Sequence, residues 1–219
     1  PTNANREFGA ITASIQESID IAEGSLSPAD LVAIEPGNYF TNLTLTDSVD
    51  IVRTYEGTNP DEQGDVEISA RATNAPALNI TTASATIDNL VIVADSGENA
   101  ITHSGDILSV YDTDVIVNAT GTDTADAVFG VETDGNLTVV RSRFTGGGVT
   151  KGGNTFEPSL PPSANQSFGI RVDAATYAVT VSQSEFVGLR GGIRTLEPIN
   201  QTVIIQTDFR KIYAKAYNA

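Results

Sequence analysis

Beyond residue 30 the chain is written as short runs in which apolar and polar residues alternate. These are LVAIE (31–35), NLTL (42–45), VDIVRT (49–54), VEISA (66–70), ALNI (77–80) and ATIDNLVIVA (85–94). Runs of this length and period, broken by turns such as Pro36-Gly37-Asn38, predict strands. Five segments repeat nearly one phrase: ATIDNL (85–90), VYDTDV (110–115), VVRSRF (139–144), VSQSEF (181–186) and IIQTDF (204–209). Each sets an apolar residue five positions ahead of a second apolar anchor, across a mostly polar stretch. The anchors Leu90, Val115, Phe144, Phe186 and Phe209 fall 25, 29, 42 and 23 residues apart. A unit this short cannot bury its apolar side alone, so the copies must stack.

A second phrase alternates with the first: AIT (100–102), GVET (130–133), GIRV (169–172) and GIRT (192–195). Circuits of about two dozen residues with two or three short strands fit a parallel β-helix. A propeller blade needs roughly 40 residues, and the hairpins of a sandwich do not repeat a phrase in register. The long interval contains GGVTKGGNTFEPSLPPSANQ (147–166), whose Gly, Pro and Asn content predicts a surface insertion. Ahead of the strands, Ile11, Ile15, Ile19 and Ala22 follow a helical spacing, with Ser14 and Glu17 as a capping box and Gly24 as a stop. A lone amphipathic helix there predicts a lid on the first coil. The expected organisation is one all-β domain over 1–219. It comprises an extended arm (1–10), a capping helix (11–24), six or seven coils (31–212) and a C-terminal tail (213–219).

The opening IQESIDIAEG…ADLVAIEPGNYFTNLTL, a helix followed by a strand ending in Pro-Gly-x-Tyr, resembles the start of the pectin-lyase-like β-helix superfamily. The GI-x-V and V-x-x-x-x-F phrases resemble its coils, and the likeness covers nearly the whole chain. It implies a right-handed, single-stranded parallel β-helix. It does not fix an activity, because that fold hosts lyases, hydrolases, esterases, phage spikes and structural proteins. In the polygalacturonase-like members, acidic residues flank the start of the GI strands. Here those positions read Val128-Phe129-Gly130, Ser167-Phe168-Gly169 and Arg190-Gly191-Gly192. The calcium cluster and R-x-P-x-x-R motif of pectate lyases and the motifs of pectin methylesterases are also missing, so the resemblance transfers no catalytic residue.

Composition narrows the partners. The net charge of −16 argues against nucleic acid, whose phosphates call for a Lys/Arg surface. Without cysteine there is no disulfide, thiolate metal site or Cys nucleophile. No run of 18 apolar residues spans a membrane, no signal-peptide pattern opens the chain, and no cofactor or metal is expected. The tail KIYAKAYNA (211–219) is basic and aromatic where the rest is acidic, which suits covering the open end or docking on an acidic partner.

Stacking the first phrase in register gives two charged columns at about 4.8 Å per coil. One is Asn89, Asp114, Arg143, Glu185 and Asp208; the other is Ile87, Asp112, Arg141, Gln183 and Gln206. Asp112 should lie beside Arg141, and Asp114 beside Arg143, which also faces Glu185. Paired carboxylates could serve acid/base work or hold a cation. Alternating charges instead predict an ion-pair ladder that fixes register. Between these columns run Asp88, Thr113, Ser142, Ser184 and Thr207, small polar residues suited to bonding turn backbone. A nucleophilic serine would need a base, and the one histidine, His103, is tied to none of them; it is expected at an exposed strand end. Outward positions of the second phrase are Thr102, Glu132, Arg171 and Arg194. Arg171 and Arg194 on adjacent coils could clamp an anionic sugar or a carboxylate, or pair with Glu132, Asp173 or Glu197. Six Asn-x-Ser/Thr sequons, at Asn42, Asn79, Asn118, Asn136, Asn165 and Asn200, are read as compositional.

These features predict a non-enzymatic structural or adhesive protein on the surface of an extracellular particle, such as a phage or virus decoration or tailspike-like component. Its partners would be other particle proteins or identical subunits, with a homotrimer implied by the resemblance, meeting residues 1–10, 147–166 and 211–219. Two alternatives stand beside it. One is a lyase or hydrolase of acidic polysaccharide using Asp112, Asp114, Arg141, Arg143 and His103. The other is a carbohydrate-binding adhesin that shares this groove without turnover; Arg171, Arg194 and Glu132 are the separate binding candidates.

Overall fold

In the computed structural model the described residues are 14–24, 30–54, 65–70, 75–81, 84–94, 98–117, 127–146, 149–152, 155–158, 167–173, 177–196, 200–213 and 215–218. The chain opens with helix α1 (Ile15–Glu23) and then winds into a parallel β-helix of seven coils, each with one strand on each of three sheets. Sheet A holds β1 (Asp30–Ile34), β4 (Val49–Arg53), β7 (Ser84–Asp88), β10 (Ile107–Tyr111), β13 (Asn136–Val140), β18 (Ala178–Ser182) and β21 (Gln201–Ile205). Sheet B holds β2 (Gly37–Phe40), β5 (Val66–Ser69), β8 (Val91–Ala94), β11 (Asp114–Val117), β14 (Arg143–Gly146), β19 (Glu185–Val187) and β22 (Asp208–Arg210). Sheet C holds β3 (Leu43–Leu45), β6 (Leu78–Ile80), β9 (Ile101–His103), β12 (Val128–Thr133), β17 (Ser167–Val172), β20 (Gly191–Thr195) and β23 (Lys215–Asn218).

Parallel register converts the sequence repeat into columns of like residues along the axis. On sheet A one inward column is Val32, Ile51, Ile87, Val110, Val139, Val181 and Ile204. On sheet C it is Leu43, Leu78, Ile101, Val131, Ile170 and Ile193. On sheet B it runs Tyr39, Ile68, Ile92, Val115, Phe144, Phe186 and Phe209. The last three rings stack at 4.8 and 4.9 Å between centroids. Ring pairs at this spacing add about 0.5–1.5 kcal/mol each beyond their buried area.

The two sequence phrases are halves of one packing device. A Cβ on Gly130 would lie 2.8 Å from the Phe144 ring, and one on Gly169 would lie 2.7 Å from that of Phe186. Gly130 and Gly169 thus leave room for the phenylalanine of the next coil and for the carbonyl of the glycine stacked on them, Gly169 and Gly192, so bulk on sheet B is matched by its absence on sheet C.

Two features depart from the sequence reading. The first phrase spans the corner between sheets A and B, but its earliest copy sits two residues out of frame, since Ile92, not Leu90, pairs with Val115. Asn89 therefore stacks on Asp112, and Val91 on Asp114. Finally, residues 215–218, set apart as tail, form β23 beside β20. The described part of 147–166 is an antiparallel hairpin of β15 (Val149–Gly152) and β16 (Thr155–Pro158) outside the three sheets.

Helix α1 starts at Ser14, whose Oγ accepts the Glu17 N–H at 3.2 Å. Ile11 and the 1–10 arm lie outside the described residues. Ile19 and Ala22 are buried against the first coil. Gln16 plays the part of an absent coil: its Nε2 donates to the Thr44 carbonyl (3.0 Å) and its Oε1 accepts the Thr44 N–H (2.8 Å). The Glu23 carboxylate accepts from the N–H groups of Thr46 and Asp47 and from the Thr46 hydroxyl. One helix thereby covers the apolar end and supplies partners to an otherwise open strand edge.

Candidate functional site

The corner between sheets A and B carries most of the candidate residues. In five successive coils the chain turns there in two residues, 89–90, 112–113, 141–142, 183–184 and 206–207. The first of each pair is left-handed: Asn89 (φ 58°), Asp112 (46°), Arg141 (49°), Gln183 (50°) and Gln206 (50°). Asn and Asp adopt this region readily, whereas Arg and Gln pay roughly 1–2 kcal/mol for it. The stacked geometry holds them there. The second residue supplies a hydroxyl ladder. Thr113, Ser142, Ser184 and Thr207 each donate to the carbonyl two residues earlier, on Tyr111, Val140, Ser182 and Ile205, at 2.7–3.0 Å. In return, Ser142 Oγ accepts the Thr113 N–H and Ser184 Oγ accepts the Ser142 N–H, both at 3.2 Å. Leu90, not Asp88, occupies this column in the earlier coil. The hydroxyls are thereby committed to backbone, which leaves the serines poorly disposed as nucleophiles.

The charged columns interlock. Asp112 takes both Nε and Nη2 of Arg141, at 2.7 and 2.6 Å. Asp114 takes Nη2 of Arg143 at 2.9 Å, and Arg143 stands in register with Glu185. Glu185 and Asp208 both meet Arg210. Hydrogen bonding to Asp112 pushes the Arg141 guanidinium further towards its charged form. Asp88, the carboxylate just before this corner, is pushed up first by burial and then by Asp112, with Arg141 opposing.

On sheet C, Thr102, Glu132, Arg171 and Arg194 form the outward row that the repeat predicts. Arg171 is clasped from three sides. Glu132 lies at 3.0 Å, Asp173 at 2.6 Å, and the Phe129 ring has its centroid 5.2 Å away. Asn99 completes the clasp, its amide donating to Glu132 and accepting the Phe129 N–H at 2.8 Å. Burial raises the Glu132 carboxyl above the usual range, and Arg171 offsets this in part. Arg194 stands beside Arg171 in register and is exposed. Glu197, its other candidate partner, lies outside the described residues. Asn99 escaped the sequence reading, since Phe129 and Phe168 occupy its column in the next two coils and no repeat marks it.

His103 overturns its expectation. It is not at an exposed strand end but 1 % exposed, in the inward sheet-C column between Ile80 and Thr133. The alternation of β9 turns Ile101 and His103 inward together. Its Nδ1 lies 2.8 Å from the Thr133 hydroxyl, which also accepts the Gly135 N–H. Nε2 is buried with no hydrogen-bond partner. Burial lowers its pKa, with Asp134 and Asp106 opposing. It therefore sits inside the core, whereas Asp112, Asp114, Arg141 and Arg143 lie at the A–B corner, and the five residues do not form one site.

Among the described residues no group of three or more His, Asp or Glu is placed to hold a metal ion. Two sequons are tied into the coils: Asn42 donates to the carbonyls of Ala75 and Pro76. Asn136 donates to Asp106 and accepts the Ala178 N–H. A glycan on either amide would compete with these bonds. Asn118 and Asn165 lie outside the described residues. No family model, no curated protein and no solved structure matches the chain.

Proposed function

We propose that the protein is a non-enzymatic structural or adhesive β-helix on the surface of an extracellular particle, of the kind built into phage and virus virions. Its winding would then be the right-handed one of the pectin-lyase-like superfamily. The observation that carries this reading is that the polar groups repeated from coil to coil are spent on neighbouring coils. Asp112 and Asp114 are neutralised by Arg141 and Arg143, and the hydroxyls between them bind backbone. Glycosidic cleavage needs two carboxyl groups held apart in different protonation states; here guanidinium groups alternate with the acids. Docking on other particle proteins or identical subunits would fall to the surfaces that the coils leave over.

Two measurements test this together. Antibody labelling or mass analysis of particles from the producing cells should find the protein on them. Incubation with uronate-rich polysaccharides should release neither unsaturated products nor new reducing ends. A free monomer found on no particle overturns the surface role. Turnover overturns the non-enzymatic one.

A further inference from the structure

The three outer faces of the coils differ in charge. Sheet B turns Asp114, Arg143 and Glu185 outward, and sheet C turns Glu132, Arg171 and Arg194 outward. Sheet A instead sets Thr86, Ser109, Thr138 and Thr180 in one outward column, in register on β7, β10, β13 and β18. Among the outward positions of these four strands Asp88 alone is charged, in a chain of net charge −16. The column also differs from the hydroxyl ladder of the A–B corner. Corner hydroxyls donate to backbone, whereas these four make no bond to any other described residue. Beside them stand Ile107, 45 % exposed, and the half-buried Tyr111 and Val140. A face nearly stripped of charge and carrying an aromatic ring has the composition of an interface core.

We propose that this face seats the same face of a second copy, about a two-fold axis lying between β10 and β13, with the two solenoids antiparallel. Thr86 then meets Thr180 of the other copy, and Ser109 meets Thr138. A hydroxyl both donates and accepts, so each such pair completes a hydrogen bond. Tyr111 meets Val140 beside them. At the A–B rim the exposed Asp112–Arg141 pair meets its own reverse, which sets each carboxylate against a guanidinium. This self-complementarity is what an isologous contact demands, and it selects a second copy over an unrelated protein. The opposite rim works against it, because exposed Asp106 there meets Asp134 of the other copy. Six strands, β4 to β21, about 4.8 Å apart and up to five residues long, give a footprint of roughly 500 Å² per copy. That is near the lower limit of a specific interface, so the dimer is weak. The contact goes beyond the particle-surface role and rests on the fold alone: a dimer found on no particle would overturn that role and leave this contact in place.

The test is sedimentation equilibrium on the full chain, over a concentration series from about 1 μM to 1 mM. The expected result is a monomer–dimer equilibrium that stops at dimer, with Kd on the order of 10–100 μM. Thr138→Arg and Thr180→Arg should each weaken it about tenfold or more, since each buries an unpaired charge. They lie on different coils, so either reads the contact if the other fails to fold, which circular dichroism checks. Thr102→Arg, outward on sheet C, should leave the dimer as it is. Asp106→Asn removes the facing acids and should tighten it about threefold. A monomer throughout the series overturns the proposal, as does a trimer or open-ended growth. So does a dimer that the folded arginine variants of sheet A leave as tight as wild type, that Thr102→Arg weakens as much, or that Asp106→Asn fails to tighten.

Discussion

The first and last coils end the same three apolar columns, yet one end is sealed and the other is not. Val32, Leu43 and Leu45 in the first coil are at most 5 % exposed, whereas Ile204, the last residue of the Val32 column, is 36 % exposed. Coil geometry does not account for the difference, because register is continuous from β1 to β21. The nine residues of α1 account for it. Ile19 and Ala22 cover the apolar layer, and Gln16 and Glu23 meet the strand edge. A coil therefore does not bury its own layer; it buries its neighbour's.

This contrast can be broken or sharpened by substitution. Phe186→Ala removes a fully buried ring stacked between Phe144 and Phe209, and should cost about 3–5 kcal/mol, with a fall of roughly 10 °C in melting temperature. Phe209→Ala, one coil nearer the open end, should cost about half as much or less. Equal losses by calorimetry would erase the gradient. Ile19→Ala under the sealed end should cost about 2–4 kcal/mol, against about 1 or less for Ile204→Ala. Glu23→Ala frees the N–H groups of Thr46 and Asp47, and a loss of about 1 kcal/mol is expected in denaturant melts.

Two smaller tests take the interior as reference. The folded state disfavours protonated His103 while the unfolded chain accepts a proton near pH 6.5. Its contribution is thus fully present above pH 6.5 and is lost as pH falls through the lower folded value. Wild type should lose about 2 °C or more relative to His103→Gln between pH 7.5 and 5; parallel pH profiles would count against this. Arg143→Glu replaces a half-exposed ion pair with repulsion towards Asp114 and should cost about 0.5–1 kcal/mol. Unchanged stability would remove the ladder from the account of what holds the coils in register.

How much was legible follows from what each position repeats. The A–B corner could be read because its two-residue length recurs in five coils, which brings Asp112 to Arg141 and Asp114 to Arg143 in the correct register. The frame failed at Leu90, where an apolar residue stands in the hydroxyl column and mimics the anchor two places on. His103 was misjudged because its strand is three residues long, too short for alternation to show which side faces in. The Asn99 clasp had no repeat to announce it. The left-handed corner was hidden because Arg141, Gln183 and Gln206 are not residues that signal a positive φ.

The coil corners also differ in how strictly length is kept. From sheet A to sheet B the chain almost always crosses in two residues. From sheet B to sheet C it crosses through 41–42, 70–77, 95–100, 118–127, 147–166, 188–190 and 211–214. All of these leave from one ridge of the prism, in register, at about 4.8 Å per coil. The molecule is thus a ruler with one edge graduated and the other blank. Peptides written into the blank edge would stand in single file at a pitch set by the backbone, whatever their own sequence.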